Sequence, residues 1–459
     1  TSEEICGKHW KNLLQVVCDN MSIKESLLEK IKSKGVTVGV IGIGYVGLPL
    51  AVEMAGAGYR TIGFDLQQSK VEMVNSGRNY IRDVEAEKLT ALVRSGMLCA
   101  VGDFSGLGCA DFIFICVPTP LDGYQQPDIR HIRESAAAVG EHIKRGTVVV
   151  LESTTYPGTT EELVLPIIEG KSGLKCGVDF YLGFSPERVD PGNKTFKTKN
   201  TPKVVGGVGD DAAEVICKMY ETVLDCEIFR VSSPKVAEME KLLENTYRNV
   251  NIGLINEIAI ICNKLGINVW EVIEAAETKP YGFQAFYPGP GLGGHCIPLD
   301  PFYLTWKLRE YDYNVKMITA SSEINNYMPQ YIVERCSRIL NRFKKPINGS
   351  SILVLGVAYK QDMDDYRESP AIKVIERLKS EGAIVSFYDP YVAEFVHKGR
   401  QYRRIKRLTP EILRKFDLAV VTAAHSNVDY NLVQQNSNFV FDTRNAMRHV
   451  ENRKNIEIL

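Results

Sequence analysis

The sequence has no hydrophobic run long enough to span a bilayer and no excess of charge of either sign. Its apolar stretches stay below the roughly 20 residues that a membrane helix needs. Lysine and arginine total 55 against 56 aspartate and glutamate, which gives a net charge of −1. Nothing in the charge therefore favours a nucleic-acid or membrane partner. With 44% hydrophobic residues, the composition is that of a globular protein in water.

Patterns for metals, disulfides and secretion are also missing. The eleven cysteines contain no C-x-x-C pair, and the histidines form no cluster at metal-ligand spacing. Asp19, Asn20 and Lys24 interrupt any apolar signal core near the start. We expect reduced thiols, no metal site and a cytoplasmic location. The first 34 residues are expected to form an accessory amphipathic helix or two, with apolar residues at Trp10, Leu13, Leu14, Val17, Leu27, Leu28 and Ile31.

A dinucleotide-binding pattern begins at residue 36. "VTVGVIGIGYVG" ends an apolar run with Gly42, Gly44 and Gly47 at G-x-G-x-x-G spacing; a helical pattern and the strand "YRTIGFD" follow. In such a fold the glycines make the tight turn, let the backbone approach a pyrophosphate and let the helix pack on the strand. Asp65, at the end of the next strand, is placed to bind a ribose diol and to repel the extra phosphate of NADP. The pattern predicts NAD.

Later strands end in polar residues, at the edge where open parallel sheets bind ligands. Thr119, Thr154 and Glu187 stand at such ends. A threonine there is alternatively a helix cap or turn former. A carboxylate there often performs acid–base work.

A long helix is predicted from Ser233 and Pro234 to about Gly266. It contains the poor helix formers Asn245, Asn249, Asn251 and Asn256. Lys241, Asn245 and Arg248 share one face of it. That face is either a solvated polar stripe or a surface that holds an anionic or oxygen-rich ligand.

The segment "GPGLGGHCIPLDP" at 289–301 cannot be helix or central strand. It is either an awkward turn or a loop that presents Cys296 to a bound molecule. From about residue 350 a second α/β pattern echoes the first without its full glycine fingerprint, which suggests a different nucleotide-like ligand.

The predicted fold is α/β, with two Rossmann-like doubly wound parallel-sheet domains joined by a long central helix. Its predicted parts are a helical extension (1–34), an NAD-binding domain (35–230), a central helical domain with the cysteine loop (231–335) and a second α/β domain for the nucleotide-like ligand (336–459).

Eight motifs, in order, resemble the UDP-glucose/UDP-mannose dehydrogenase family: "GVIGIGYVGLPLA", "VPTP", "STTYPGTT", "SPER", the Lys241–Asn245 helix, "GPGLGGHCIPLDPFYL", "GVAYKQDMDDYRES" and "FDTR". The resemblance covers about residues 36–450, and the cysteine loop is most similar to the UDP-N-acetylglucosamine 6-dehydrogenase branch. It implies oxidation of the sugar C6 alcohol to a carboxylate by two NAD, through a thiohemiacetal and a thioester on cysteine. It also implies a homodimer or higher homo-oligomer through the central helix.

The resemblance further implies roles for individual residues. Catalysis falls to Cys296 as nucleophile, Glu187 for the water, and Lys241, Asn245 and Asp300 around the C6 oxygen. The cofactor residues are Gly42, Gly44, Tyr45, Val46, Gly47, Asp65, Lys70, Pro118, Thr119, Thr154 and Arg367. The UDP-N-acetylhexosamine residues are Arg188, Lys241, Asn245, Arg248, Gly291, Gly293, Tyr359, Lys360 and Arg444.

Two departures from the UDP-glucose enzymes bear on the substrate. Pro191 stands where they carry a second acid, and Pro280, beside Lys279, stands where they carry an arginine that crosses to the neighbouring subunit. UDP-N-acetylglucosamine is therefore the expected substrate, with UDP-N-acetylmannosamine or UDP-glucose as alternatives. Outside this activity, a two-electron hydroxyacid dehydrogenase lacks the second α/β domain, and an inactive nucleotide-sugar sensor has no need of the intact catalytic set.

Overall fold

A computed structural model describes residues 22–81, 83–123, 126–190, 193, 195–294 and 297–459. The predictions for residues 1–21 and for Cys296 lie outside this part of the chain. The chain divides into two compact units, the first ending at Leu243 and the second running from Glu244 to Leu459. The boundary falls inside one helix, α8 (Pro234–Leu265), whose bounds match the predicted long helix. The four-part division made from the sequence stays a prediction.

The first unit contains a sheet of eight strands among its described residues. They are β1 (Thr37–Ile41), β2 (Arg60–Phe64), β3 (Leu98–Val101), β4 (Phe112–Ile115), β5 (Val148–Leu151), β6 (Tyr181–Phe184), β7 (Lys203–Gly207) and β8 (Ile228–Val231). Besides the start of α8, its α-helices are α1 (Ile23–Lys32), α2 (Gly47–Gly56), α3 (Gln68–Asn75), α4 (Ala86–Arg94), α5 (Arg130–His142), α6 (Leu165–Ser172) and α7 (Asp210–Glu221). Short 3₁₀ and π-helical segments lie at Phe104–Cys109 and Thr159–Val164.

The strand order of this sheet is β3-β2-β1-β4-β5-β6-β7-β8. Neighbouring strands are parallel except for β6 and β7, which are antiparallel. The order reverses between β1 and β4, and a ligand binds at that switch point in folds of this kind.

The central strands of the sheet, β4 to β7, are buried on both faces, and the sequence of β4 shows why. All four of its residues are buried, with Phe112 and Phe114 in one hydrophobic cluster and Ile113 and Ile115 in the other. Alternate side chains of a strand point to opposite faces, so an uninterrupted apolar strand requires cover on both sides.

The accessory helix predicted near the start is present as α1 for the described residues. Ser22 and Glu25 form a capping box at its beginning, and Leu27 and Ile31 are buried in the core of the first unit. The remaining predicted apolar positions, up to Val17, lie outside the described residues.

The second unit contains a second sheet and a small hairpin. Its strands are β9 (Ser351–Leu355), β10 (Ile384–Tyr388), β11 (Glu394–His397), β12 (Arg400–Arg403), β13 (Leu418–Val421), β14 (Val440–Asp442) and β15 (Ile456–Ile458). Besides most of α8, its α-helices are α9 (Val269–Glu277), α10 (Asp300–Lys307), α11 (Lys316–Arg342), α12 (Pro370–Ser380), α13 (Pro410–Leu413) and α14 (Tyr430–Asn436). A 3₁₀ turn lies at Leu308–Tyr311.

The sheet of the second unit is parallel throughout, in the order β10-β9-β13-β14-β15. The predicted fold class is thus confirmed: each unit is built on a mostly parallel sheet flanked by helices. The antiparallel pairing of β7 with β6 and the hairpin β11–β12 were not predicted.

A close helix–helix contact supports the cysteine loop region. A Cβ at Gly253 of α8 would lie 2.8 Å from the Cβ of Ser321 in α11. Any other residue at Gly253 would push the two helices apart.

Within the described residues, no helix combines the length and the apolar content needed to cross a membrane.

Candidate active site

The loop between β1 and α2 has the geometry that a dinucleotide pyrophosphate requires. Gly42 has φ +86°, and a Cβ there would lie 2.7 Å from the carbonyl oxygen of Cys116. A Cβ at Gly47 would overlap the Gly42 carbonyl, whereas one at Gly44 would meet no heavy atom within 4 Å. The N-cap residue Val46 makes no side-chain hydrogen bond to the helix. The first N–H groups of α2 thus lack a side-chain cap and suit an anion.

Asp65 lies directly after β2, beside this glycine loop. Its Oδ2 accepts hydrogen bonds from Ile43 N and Lys70 Nζ, both at 3.2 Å, and its Oδ1 accepts one from Gln67 N at 2.9 Å. A carboxylate has about four acceptor positions, so room for a ribose hydroxyl remains. A second phosphate at this position would face the carboxylate. The residues present fit NAD. Lys70 pairs with Asp65, and its own contact with the cofactor stays a prediction.

The strand-end threonines tie two neighbouring loops together. The Thr119 hydroxyl, after β4, donates to the Thr154 carbonyl, after β5, at 2.8 Å. Pro118 is exposed, and Tyr45 in the glycine loop is 54% exposed. This bond joins loops 35 residues apart in the chain and is neither a helix cap nor a local turn. Cofactor contact by these residues stays a prediction.

Glu187 and Lys241 meet in the first unit. Lys241 Nζ donates to the Glu187 carbonyl oxygen at 2.5 Å. Glu187 Oε1 accepts from the backbone N–H groups of Arg188 (2.9 Å) and Val189 (2.7 Å). Both bonds are made to Oε1 and fix the orientation of the carboxylate. The second oxygen, Oε2, takes part in neither of them. The Arg188 guanidinium lies 3.4 Å from Glu240 Oε1.

A buried ion pair behind Glu187 was missed by the sequence reasoning. Lys203 Nζ lies 2.8 Å from Glu152 Oε2 and 3.7 Å from Glu187 Oε2, and it donates to the Pro186 carbonyl at 3.2 Å. The Tyr220 hydroxyl donates to Glu152. Burial raises the pKa of the Glu152 carboxyl, and Lys203 opposes that shift. Glu152 directly follows β5, the kind of strand-end position that pointed to Glu187.

The asparagines of α8 hold the cysteine loop. Asn256 Oδ1 accepts from Gly289 N at 3.0 Å, and Asn249 Nδ2 donates to the Ile297 carbonyl at 3.2 Å. Asn249 is 1% exposed and Asn256 is fully buried, so neither belongs to a solvated stripe. They hold the loop backbone before and after residues 295 and 296.

Helix α11 completes this amide network. Asn256 Nδ2 donates to Asn325 Oδ1 at 2.8 Å, and Asn325 Nδ2 donates to the Asn249 carbonyl at 3.1 Å. Ser321 Oγ donates to Asn249 Oδ1 at 2.9 Å. Each buried amide therefore has partners, as burial of polar groups demands. We call these four residues, Asn249, Asn256, Ser321 and Asn325, the amide clamp.

The remaining polar residues of α8 behave differently from one another. Asn245, which is 5% exposed, donates from Nδ2 to Asp300 Oδ2 at 2.5 Å, so this predicted catalytic pair is in contact. Arg248, predicted on the same face, is exposed. Asn251 bonds back to the Tyr247 carbonyl at 2.7 Å, a local helix contact.

The glycines of the loop allow it to lie directly on the second-unit residues predicted to bind UDP-sugar. A Cβ at Gly293 would lie 2.6 Å from the Tyr359 Cβ, and one at Gly294 would lie 2.9 Å from the Tyr359 ring. A Cβ at Gly289 would clash with the Arg444 guanidinium. In the structure these glycines contact protein, while contact of Gly291 and Gly293 with sugar stays a prediction.

Arg444 follows β14 and is partly buried without an acidic partner among the described residues. Its Nε donates to the Thr422 carbonyl at 3.2 Å, and burial lowers its pKa to about 10. A desolvated cation that lacks a carboxylate suits an anionic ligand such as a diphosphate.

Arg367, by contrast, is exposed and binds Asp365 in a bidentate ion pair, with its Nη2 2.7 Å from Asp365 Oδ2. Lys360 is half-buried.

Comparison with known proteins identifies the class. Three family models match the chain: the NAD-binding domain (residues 36–224), the central domain (235–327) and the UDP-binding domain (353–449) of the UDP-glucose/GDP-mannose dehydrogenase family. The chain belongs to this family, and NAD is its cofactor. The resemblance seen in the motifs is confirmed.

Several relatives are named as dehydrogenases of acetylated UDP-sugars. The chain is 36% identical to UDP-N-acetyl-D-glucosamine 6-dehydrogenase of Pseudomonas aeruginosa, covering 78% of this chain and 84% of that one. It is 37% identical to UDP-N-acetyl-D-mannosamine dehydrogenase of Pyrococcus horikoshii, covering 77% and 84%. A solved structure of UDP-D-ManNAc dehydrogenase from P. horikoshii superimposes with a TM-score of 0.82 at 32% identity, over 92% of this chain and 98% of that one.

Proposed function

We propose that this protein oxidises the C6 alcohol of UDP-N-acetylglucosamine to a carboxylate with NAD. The observation that supports this most is the amide clamp, which holds the backbone on both sides of Cys296. A turn that merely joins two helices needs no such anchoring, whereas a nucleophile must be kept in place for its reaction. The glycine loop with Asp65 supports the cofactor side, and Arg444 supports the nucleotide side.

The proposed reaction removes four electrons in two steps. Loss of a hydride from C6 and of the hydroxyl proton, which Lys241 or solvent takes up, gives an aldehyde. The Cys296 thiolate attacks the aldehyde carbon, and the oxygen takes up a proton to form a thiohemiacetal. Loss of a second hydride and that proton leaves a thioester. Water adds to it, the C–S bond breaks, and the uronate departs with the thiol restored. NAD, when bound, accepts one hydride per molecule, so each sugar yields two NADH.

The roles of the protein groups follow from their chemistry. Lys241 stabilises the charge that develops on the C6 oxygen or takes up its proton, and the Asn245–Asp300 pair binds the same oxygen. Glu187 orients or deprotonates the water that opens the thioester. Arg188, Arg248, Tyr359, Lys360 and Arg444 bind the UDP-sugar, together with the loop backbone at Gly291 and Gly293.

The acetylated sugar is proposed because both marks of the UDP-glucose enzymes are missing, at Pro191 and Pro280. UDP-N-acetylmannosamine is the second candidate, since relatives of similar identity bear each name.

A panel of purified UDP-sugars tests the proposal. We expect kcat/KM for UDP-N-acetylglucosamine to exceed that for UDP-glucose at least about tenfold, the effect of one or two well-placed polar contacts. NADH absorbance and product quantification should give two NADH per sugar. One NADH per substrate would indicate a two-electron dehydrogenase, and none would indicate a sensor. Faster turnover of UDP-glucose than of both acetylated sugars would refute the substrate assignment.

We propose further that the protein forms a homodimer through α8. Tyr247, Leu254, Ile261 and Leu265 are exposed by 46%, 53%, 43% and 67%. Their spacing of seven, seven and four residues puts them on one side of the helix. Phe283, which is 41% exposed, lines the same surface cavity as Tyr247 and Leu254. A second copy that presents the same stripe would cover it, as in an isologous interface.

Leu254→Glu should dissociate this dimer. Two buried carboxylates would face the apolar stripe of the partner, and the dissociation constant should rise at least about a hundredfold, or roughly 3 kcal/mol. Analytical ultracentrifugation measures the shift to monomer. Val396→Glu, at a 63% exposed valine of the hairpin, is the matched control and should stay dimeric. Equal behaviour of the two variants would place the interface elsewhere.

A further inference from the structure

The second unit repeats the strand-end acid of the first. The order β10-β9-β13 corresponds to β2-β1-β4, and Asp389 directly follows β10 just as Asp65 directly follows β2. In the first unit Asp65 accepts one bond from the loop after β1, at Ile43 N. The corresponding loop of the second unit begins at Gly356 and carries Tyr359 and Lys360.

Asp389 differs from Asp65 because donors from the protein fill all of its acceptor positions. It is fully buried, and its two oxygens accept five hydrogen bonds. Oδ2 accepts from Val357 N (2.7 Å), Ala358 N (3.1 Å) and His425 Nε2 (3.0 Å). Oδ1 accepts from Tyr391 N (2.8 Å) and Val392 N (2.9 Å). A carboxylate has about four acceptor positions, so Asp389 has none left for a ribose diol.

His425 extends this arrangement to the far end of the same loop. It is fully buried, and its Nδ1 accepts from Asp362 N at 3.0 Å. Because Nδ1 accepts this bond, Nε2 is the ring nitrogen that donates to Asp389. Asp362 has φ +59°, an unfavourable conformation for a residue with a Cβ, and its Oδ1 accepts from Ser426 N at 2.8 Å. These bonds hold Asp362 in that conformation.

Residues 357–362 are thus fixed at both ends by one pair of side chains. Asp389 binds the entry, at Val357 and Ala358, and His425 binds the exit, at Asp362. Between these points lies Tyr359, whose side chain packs on the loop glycines Gly293 and Gly294. A shift of this segment would move the proposed nucleotide-sugar contacts and the support of the cysteine loop together.

We propose that Asp389 and His425 form a positioning pair that fixes residues 357–362 for recognition of the nucleotide sugar. This inference rests on the proposed function, because it assigns Tyr359 and Lys360 to that ligand. Neither Asp389 nor His425 touches the ligand. In the first unit the strand-end acid is assigned to the ribose, whereas in the second unit the strand-end acid Asp389 binds the protein's own backbone and His425.

Three substitutions of His425 test the pair, with UDP binding by calorimetry and steady-state kinetics as readouts. Alanine removes both bonds. Asparagine places an oxygen close to the Nδ1 position and keeps the bond to Asp362 N, whereas glutamine places an amide N–H close to the Nε2 position and keeps the bond to Asp389. Asp389 retains four backbone donors without the histidine, but Asp362 N loses its His425 acceptor. Loss of the bond between Asp362 N and His425 should therefore affect UDP binding more than loss of the bond between His425 and Asp389.

We expect His425→Ala and His425→Gln to raise the Kd for UDP and the KM for the UDP-sugar about tenfold, because both remove the buried bond to Asp362 N. The KM for NAD should stay unchanged within about twofold. His425→Asn should stay within about threefold of the wild type. His397→Ala, at a half-buried histidine of the hairpin paired with Glu376 at 3.0 Å, is the matched control and should bind UDP normally. Melting temperatures identify any variant that fails to fold.

Wild-type UDP affinity in His425→Ala would overturn the positioning role. So would a parallel rise in both KM values, or equal loss in the asparagine and glutamine variants, since a purely structural histidine would give those results. Failure of the wild type itself to bind UDP would overturn the proposed function and this inference with it.

Discussion

Cys296→Ser is expected to lower formation of the uronic acid by about a thousandfold or more while the protein stays folded. A serine hydroxyl is a far weaker nucleophile than a thiolate, whose unperturbed pKa is about 8.5 and falls near a cation. The substitution changes one atom in a loop that the amide clamp holds from outside, at Gly289 and Ile297. The first oxidation does not need the thiol, so an aldehyde-level species or a serine ester should accumulate slowly. Mass spectrometry of the products and NADH release measure both effects.

Cys99→Ser is the matched control, because Cys99 is an exposed free cysteine outside the proposed site. It should turn over normally. Uronic acid production by Cys296→Ser at near the wild-type rate would show that the loop is only a turn, and the covalent mechanism would be wrong.

Glu187→Gln should separate the oxidations from the hydrolysis. Glutamine keeps the size of the side chain and an oxygen that accepts from Arg188 N and Val189 N. It has no carboxylate to orient or deprotonate water, a role that typically contributes about 10²–10⁴-fold. Both hydrides can still leave, so a burst of about two NADH per subunit should precede a slow steady state. Intact-protein mass spectrometry should show the sugar nucleotide attached to Cys296.

Glu53→Gln provides the control for this change. Glu53 pairs with Lys88 at 2.7 Å in the first unit, far along the chain from Glu187. It should show neither a burst nor an adduct. Steady turnover by Glu187→Gln without any adduct would mean that another group activates the water.

The glycine fingerprint, Asp65 and the core strands were predictable because each depends on residues close together in the sequence. The bounds of α8 were predictable for the same reason, since a serine and a proline begin it and a glycine follows it. Strand β7 was not: its pairing with β6 in the antiparallel sense depends on the path of the chain between them, which no local pattern encodes.

The partners of the α8 asparagines could not be predicted from the sequence either. Asn249 binds Ile297, 48 residues later, and Asn256 binds Asn325, 69 residues later. Their low helix propensity showed that these asparagines were unusual in a helix, but it gave no sign that they bind protein rather than solvent or ligand. Lys203 was missed because a lysine at the start of a strand carries no signature. Only the fold brings it beside Glu152 and Glu187.

The choice of carboxamides in the amide clamp bears on how the protein responds to its surroundings. An asparagine side chain gains or loses no proton between about pH 5 and 10, and it carries no charge for salt to screen. A clamp of carboxylates and lysines would loosen with acid or with ionic strength, and the backbone beside Cys296 would move with it. Because Asn249 and Asn256 hold that backbone and Asn325 holds both of them, the loop should keep one geometry throughout this range. A pH profile of turnover should then report the titration of the thiol and its neighbours rather than the loosening of the scaffold.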